Sequence, residues 1–174
     1  MKRNFITSML TIVLLGVAIS SCSVATDTKE VEVAKQTLSY EYIMEGSNEM
    51  AVTLNVAEIL GADIAIDDIH EATIKSITIK KNDSLGMSEI NQAKVQLMGE
   101  SEDLTMVTVA VSDSIISTSK EVSLSILDEV EVAKYLKEDN MTLVLDLSYI
   151  KDQDLEQDYD VFIKFNLEVK SKEK

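Results

Sequence analysis

The feature that most constrains this chain is a strict two-residue alternation near its C-terminus. Met141, Leu143, Leu145, Leu147 and Tyr149 alternate with Thr142, Val144, Asp146 and Ser148. Tyr159, Val161, Ile163, Phe165, Leu167 and Val169 alternate with Asp160, Phe162, Lys164, Asn166, Glu168 and Lys170. Successive side chains of a strand point to opposite faces, so this period belongs to strands and not to a helix of 3.6 residues per turn. The two runs predict a long antiparallel hairpin with one buried face.

The same period runs upstream. Leu38, Tyr40, Tyr42 and Met44 lie on one phase, Gly46-Ser47-Asn48 is a turn signal, and Met50, Val52, Leu54 and Val56 resume the alternation. Together they predict a second hairpin. Glu58 to Asp68 reads as a short helical turn leading to an edge strand. Between Ile69 and Lys81 the parity slips, with Ala72 and Ile74 on one phase and Ile77 and Ile79 on the other. One extra residue near Lys75-Ser76 reconciles them as a β-bulge. Leu104 to Val111 is apolar on both phases, the pattern of an inner strand. Val122, Leu124 and Ile126 predict a clean strand. Val132, Tyr135 and Leu136 share one face of a helix within Glu129–Asp139. Met44, Met50, Met98, Met106 and Met141 read as core filling. Many strands, turns between them and one helix predict an all-β fold: an antiparallel β-sandwich, Ig-like or Greek-key, with a short crossover helix near 130–138.

The first residues carry an address. Lys2 and Arg3 precede an apolar run from Phe5 to Ile19, then Ile19-Ser20-Ser21-Cys22. A basic start, a short apolar core and small residues at its end are the parts of a secretory signal. The core is too short to span a bilayer, which takes roughly 20 apolar residues. Ile19-Ser20-Ser21-Cys22 resembles the lipobox of bacterial lipoproteins. That resemblance implies a thioether-linked diacylglycerol at Cys22, cleavage just before it and usually acylation of the new amino group. Two or three acyl chains anchor a protein firmly, where one is marginal. Ser23 after the cysteine lacks the Asp that favours inner-membrane retention in enterobacteria. The expected layout is a signal peptide at 1–21, a lipidated tether at 22–36 and a sandwich domain at 37–171, lipid-anchored at an outer membrane and facing the periplasm or the cell surface.

Charge narrows the partners. The chain carries 31 acidic against 16 basic residues, a formal net charge of −15, and grows more negative once Lys2 and Arg3 leave with the signal. An acidic body is a poor match for nucleic acid, whose phosphates need cations. With Cys22 consumed, no disulfide can form. Aromatic residues are 5% and tryptophan is absent, which leaves little for the aromatic platforms that bind polysaccharide.

A second resemblance covers nearly all of the chain after the signal. Ile69-His70-Glu71-Ala72-Thr73-Ile74-Lys75-Ser76-Ile77-Thr78-Ile79-Lys80 and Val132-Ala133-Lys134-Tyr135-Leu136-Lys137-Glu138-Asp139-Asn140-Met141-Thr142-Leu143 are similar to segments of uncharacterised β-sandwich lipoproteins of the Bacteroidetes. The resemblance implies a fold and an address but no activity. In that group an Asp-Ser/Thr followed by an aliphatic residue is a periplasmic O-glycosylation site. Asp83-Ser84-Leu85 and Asp113-Ser114-Ile115 resemble it, which makes Ser84 and Ser114 candidates.

Asp152, Asp154, Glu156, Asp158 and Asp160 occupy alternate positions between the two terminal strands. Calcium takes six to eight oxygen ligands, and carboxylates clustered in a loop can supply them. Gln157 and Ile163 stand where a helix-loop-helix calcium loop needs Gly and Glu. The five acids are therefore either a cation site or a solvated loop. Asp63, Asp67 and Asp68 are a thinner version of the same choice. His70 is the only histidine and reads as a surface group. A zinc site from one His and one lipid-bearing Cys is not available, and neither a nucleophile elbow nor a glycine-rich phosphate loop occurs. The expectation is a non-catalytic, membrane-anchored interaction or adhesion-accessory module without a cofactor, with an envelope or extracellular protein as partner. The alternatives are a ligand- or calcium-binding sandwich and, third, a hydrolase with an unfamiliar site.

Overall fold

The computed structural model describes residues 25–82, 86–113, 115, 118–153 and 156–171. They form ten strands: β1 (Thr26–Glu32), β2 (Gln36–Tyr40), β3 (Gly46–Asn55), β4 (Ile69–Lys81), β5 (Ile90–Gly99), β6 (Val107–Ser112), β7 (Glu121–Ser123), β8 (Ser125–Ile126), β9 (Asn140–Tyr149) and β10 (Gln157–Lys170). One sheet runs β1-β10-β4-β7, with β2 pairing β10 as well. The other runs β3-β9-β5-β6-β8. Every pairing is antiparallel. The all-β sandwich expected from the alternation is the fold.

The core lies between β10 and β9, an interior strand of each sheet. Tyr159, Val161, Ile163, Phe165 and Leu167 from one and Met141, Leu143, Leu145 and Leu147 from the other are all buried. Fully burying an aliphatic or Phe side chain is worth about 1.5–3 kcal/mol, so this double row dominates the stability. At one end it closes on tyrosines. The Tyr149 and Tyr159 hydroxyls are 2.6 Å apart, Tyr40 meets Tyr159 edge to face, and the Tyr40 hydroxyl donates to the Leu145 carbonyl at 2.8 Å.

The alternation located strands but not their partners. The two terminal runs are not a hairpin, because β9 and β10 lie in different sheets. Each hides one face, and the two faces meet across the core. β9 ends at Tyr149 in one sheet and β10 begins at Gln157 in the other, and packed sheets stand roughly 10 Å apart. The second expected hairpin fails in the same way: β2 pairs β10 and β3 pairs β9. Thr26–Glu32, read as tether, is β1 and pairs residue for residue with Glu32↔Lys164 through Thr26↔Lys170. Its apolar content is low because its outer face is solvated; Glu30 pairs with Lys75, and Glu32 with Lys164 at 3.2 Å.

Other expectations hold in part. The bulge near Lys75-Ser76 is present: Ser76 pairs Lys164 and Ile74 pairs Phe165, leaving Lys75 as the extra residue. A second bulge on β6 explains its two apolar phases, since Val109 and Ala110 are both fully buried. A short α-helix, α1 (Val56–Leu60), follows β3, capped by the Asn55 side chain, which accepts from the Glu58 N–H at 3.0 Å. Beyond it Ile66–Asp68 is a single 3-10 turn, and no edge strand precedes it. The predicted helix near 130–138 is a 3-10 helix, Val132–Lys137, that buries Val132, Tyr135 and Leu136 as expected. It links β8 to β9 within one sheet and packs on β4 of the other. Of the methionines assigned to the core only Met141 is fully buried. Met44, Met98 and Met106 are exposed and Met50 is half-buried, while Met87 is the core methionine the alternation did not identify.

The run Val122–Ile126 is not one strand. The Leu124 N–H still donates to Ile77 of β4, yet the Leu127 N–H donates to Val109 of β6. The chain leaves one sheet and joins the other within three residues. This closes one flank of the sandwich. On the opposite flank β2 and β3 are edge neighbours joined by residues 41–45, and no strand bridges their sheets there among the described residues.

Candidate functional site

The structure separates the acids that the sequence grouped. β10 begins at Gln157, so Asp158 and Asp160 are strand residues and not loop ligands. They share a face, opposite Ser39 and Thr37 of β2. Ser39 Oγ donates to Asp158 and Thr37 Oγ1 donates to Asp160, each at 2.6 Å. Asp160 also accepts from Asn82 Nδ2 at 3.0 Å and pairs with Lys35 at 3.3 Å. Burial would raise the Asp160 carboxyl, but the hydrogen bonds from Thr37, Asn82 and Lys35 and the Lys35 charge outweigh it and hold it below its ordinary value. The repulsion expected of an extended acidic row is thus relieved by a facing row of hydroxyls and one ammonium. Asp152 accepts from the Glu45 N–H at 2.7 Å, and Glu156 is exposed. Asp154 lies outside the described residues, as do Cys22, Ser84 and Ser114. Among the described residues, no group of three or more His, Cys, Asp or Glu side chains is gathered around one point.

Asp63 and Asp68 line a shallow groove of about 220 Å³ with Asp27, Lys29 and Lys170. The two lysines fasten that loop through its backbone: Lys29 reaches the Asp63 carbonyl at 3.4 Å and Lys170 the Asp67 carbonyl at 3.2 Å. His70 is exposed on β4 beside Glu71, Thr73 and Glu131, with no serine in that groove.

The surface that stands out is the open flank, and it rests on β3. This strand pairs with β9 over ten consecutive positions without a register shift. Its other side pairs with no strand among the described residues. The other edges are shorter or more charged: β2 is uncharged but only five residues long, and the rest are blunted in ways that discourage strand addition. β7 and β8 are three and two residues long, and β1 carries Asp27, Lys29, Glu30 and Glu32. β3 carries one charge, Glu49, in Gly46-Ser47-Asn48-Glu49-Met50-Ala51-Val52-Thr53-Leu54-Asn55.

Local chemistry sets this edge. Gly46 starts the strand at φ +97°, a left-handed conformation that suits glycine. Buried Asn48 accepts from the Met44 N–H at 3.0 Å and donates to the Met44 and Gly46 carbonyls at 2.8 and 2.9 Å, fixing the approach to the strand. Tyr42 and Met44 stand out at 59% and 57% exposure. With Glu41, Asn48, Glu49 and Met50 they line a groove of about 410 Å³ between β2 and β3. A smaller groove of about 110 Å³ continues at the other end of β3, by Val33, Gln36, Leu54 and Glu58. No lysine or arginine lines either groove.

The sequence reads Tyr42 as a strand residue and Met44 as core filling, and the structure exposes both; the free side of β3 has no counterpart in that reading. The signal available was the near absence of charge between Gly46 and Asn55, which gains meaning once the strand is known to be an edge.

No helix among the described residues is long and apolar enough to cross a membrane. No protein-family model matches the chain, and no curated protein does. Among solved structures, the chain is similar to one of infectious bursal disease virus, Gx strain, at 10% identity and a TM-score of 0.40, over 94% of this chain and 37% of that one. It is also similar to Desmodium yellow mottle tymovirus, at 10% identity and TM-score 0.30 over 98% and 99% of the two chains. Turnip yellow mosaic virus gives 12% identity and TM-score 0.30 over 99% and 93%. The chain spans well under half the length of the first of these, and at such scores the similarities assign neither a family nor a function.

Proposed function

We propose that this protein is a lipid-anchored, non-catalytic interaction module of the bacterial outer membrane, held at Cys22, that binds an envelope or extracellular protein by strand addition to β3. The anchor is supported by the sequence Ile19-Ser20-Ser21-Cys22 behind a basic and apolar leader. Because β1 starts at Thr26, an anchor at Cys22 would hold the sandwich within a few residues of the bilayer. The likeness to Bacteroidetes sandwich lipoproteins supports the same address.

The observation that carries the interaction role is the edge itself. An extended segment adding to a free strand gains main-chain hydrogen bonds, and pockets for alternate side chains add specificity. β3 offers a regular ten-residue register and flanking grooves. A photo-crosslinking residue at Ala51 or Thr53, both exposed on β3, is expected to give a discrete adduct in native envelopes. The same residue at Thr73 of β4 is expected to give none, and Cys22→Ser is expected to abolish the Ala51 adduct by releasing the body. Equal labelling from β3 and from Thr73 would contradict the proposal.

A further inference from the structure

The outer face of the second sheet carries a charged row with one member unsatisfied. Lys94 of β5 and Glu49 of β3 both lie directly opposite Asp146 of β9. Asp146 is fully engaged: Ser47 Oγ donates to it at 2.5 Å, and Lys94 Nζ lies 3.5 Å away. Its carboxylate is nearly buried. Glu49 is therefore a second anion set against a buried one, and it has no ion-pair partner among the described residues. Like charges directly opposite each other on neighbouring strands are destabilising. Across the free side of Glu49 a further residue could enter the charged end of this row, whose other end runs through Val111 and Ser125.

From this geometry we infer that the segment accepted by β3 is an extended stretch of a partner protein bearing lysine or arginine on alternate residues, one of which stands opposite Glu49. The inference rests on the reading of β3 as the docking edge and adds the chemistry of what docks. An added strand with a cation at that position completes the row Lys94, Asp146, Glu49, cation across four strands. Glu41 and Glu58, in the two flanking grooves, extend the same preference along the segment. Side chains on its other phase meet Tyr42, Met44 and Met50. A second copy of this chain fits poorly, since β3 has no cation to offer Glu49.

The test uses three fluorescently labelled twelve-residue peptides and the full chain with its acyl anchor in detergent. One peptide alternates valine with lysine, one valine with glutamate, and one has the lysine composition with prolines that forbid a strand. The valine–lysine peptide is expected to bind saturably and to shift the amide resonances of residues 46–55. The other two are expected to bind at least tenfold more weakly. Glu49→Lys is expected to weaken the valine–lysine peptide at least tenfold, and Glu71→Lys, the same charge change on the other sheet, less than twofold. Equal losses in the two variants, or equal binding of the proline peptide, would reduce the effect to general attraction by an acidic body and overturn the inference. Tighter binding of the glutamate peptide at β3 would overturn the chemistry while leaving β3 as the docking edge. Binding of the lysine peptide elsewhere, or no binding, would overturn the inference, and the crosslinking from Ala51 would then decide on the edge separately.

Discussion

Asp160 shows how one carboxylate can look like a ligand in sequence and be a girder in the fold. Its oxygens are taken by Thr37, Asn82 and Lys35, residues distant in the chain and invisible to any reading of the 152–160 run. Hydrogen bonds to a charged group are worth about 1.5–3 kcal/mol, so Asp160→Asn is expected to cost about 2 kcal/mol in urea unfolding at pH 7. The carboxyl is held below its ordinary value in the folded state, so its contribution is present above about pH 4, the unfolded value. It is lost as pH falls through the lower folded value. The gap between wild type and variant should therefore be constant from pH 7 to pH 5 and shrink in more acid solution. A gap that widened on acidification would refute the assignment.

At the scale of elements, what was legible is what depends on local period. The strands β2, β3, β4, β9 and β10, the bulge at Lys75 and the buried stripe of Val132, Tyr135 and Leu136 were readable, since each rests on spacing within one segment; β1, with its solvated outer face, was not. Pairing was not, because a strand with one buried face satisfies its pattern equally well beside a neighbour or across the core from it. β9 and β10 took the second arrangement, and β2 and β3 did too. The break at Leu124 was hidden for a related reason: Val122 and Ile126 keep the alternation while the chain changes sheets. The helix type was also unreadable, because i,i+3 contacts serve a 3-10 helix as well as an α-helix. The acidic run belongs at this scale. Asp158 and Asp160 are bonded into β10 by Ser39, Thr37, Asn82 and Lys35 rather than held free in the loop. Millimolar calcium is expected to leave the melting temperature unchanged within about 1 °C, because a ligand that does not bind the native state does not stabilise it. A rise of several degrees, lost in Asp152→Asn, would restore the cation site.

Over the whole molecule the two flanks are unequal, and the proposed function rests on that asymmetry. One flank is sealed by the strand that passes from β4 to β6; the other ends in β3, long, regular and nearly uncharged. Natural sheets commonly protect such edges; here β1 is charged, β7 and β8 are very short, and β2 has only five residues. β1 begins beside Lys170 and β2 ends beside Gln157, so the N-terminal end of β1 and the Tyr42–Met44 loop lie at opposite ends of β10. With the proposed anchor at Cys22, that loop and the adjoining groove would face away from the bilayer. The decisive measurement is residue-resolved hydrogen–deuterium exchange of the amides of 46–55, in native envelopes and in the purified body. Alternate amides, those not bonded to β9, should exchange at least tenfold more slowly in the envelope, with little change in β7 or β8. Identical exchange of β3 in the two settings would contradict its role as the docking edge.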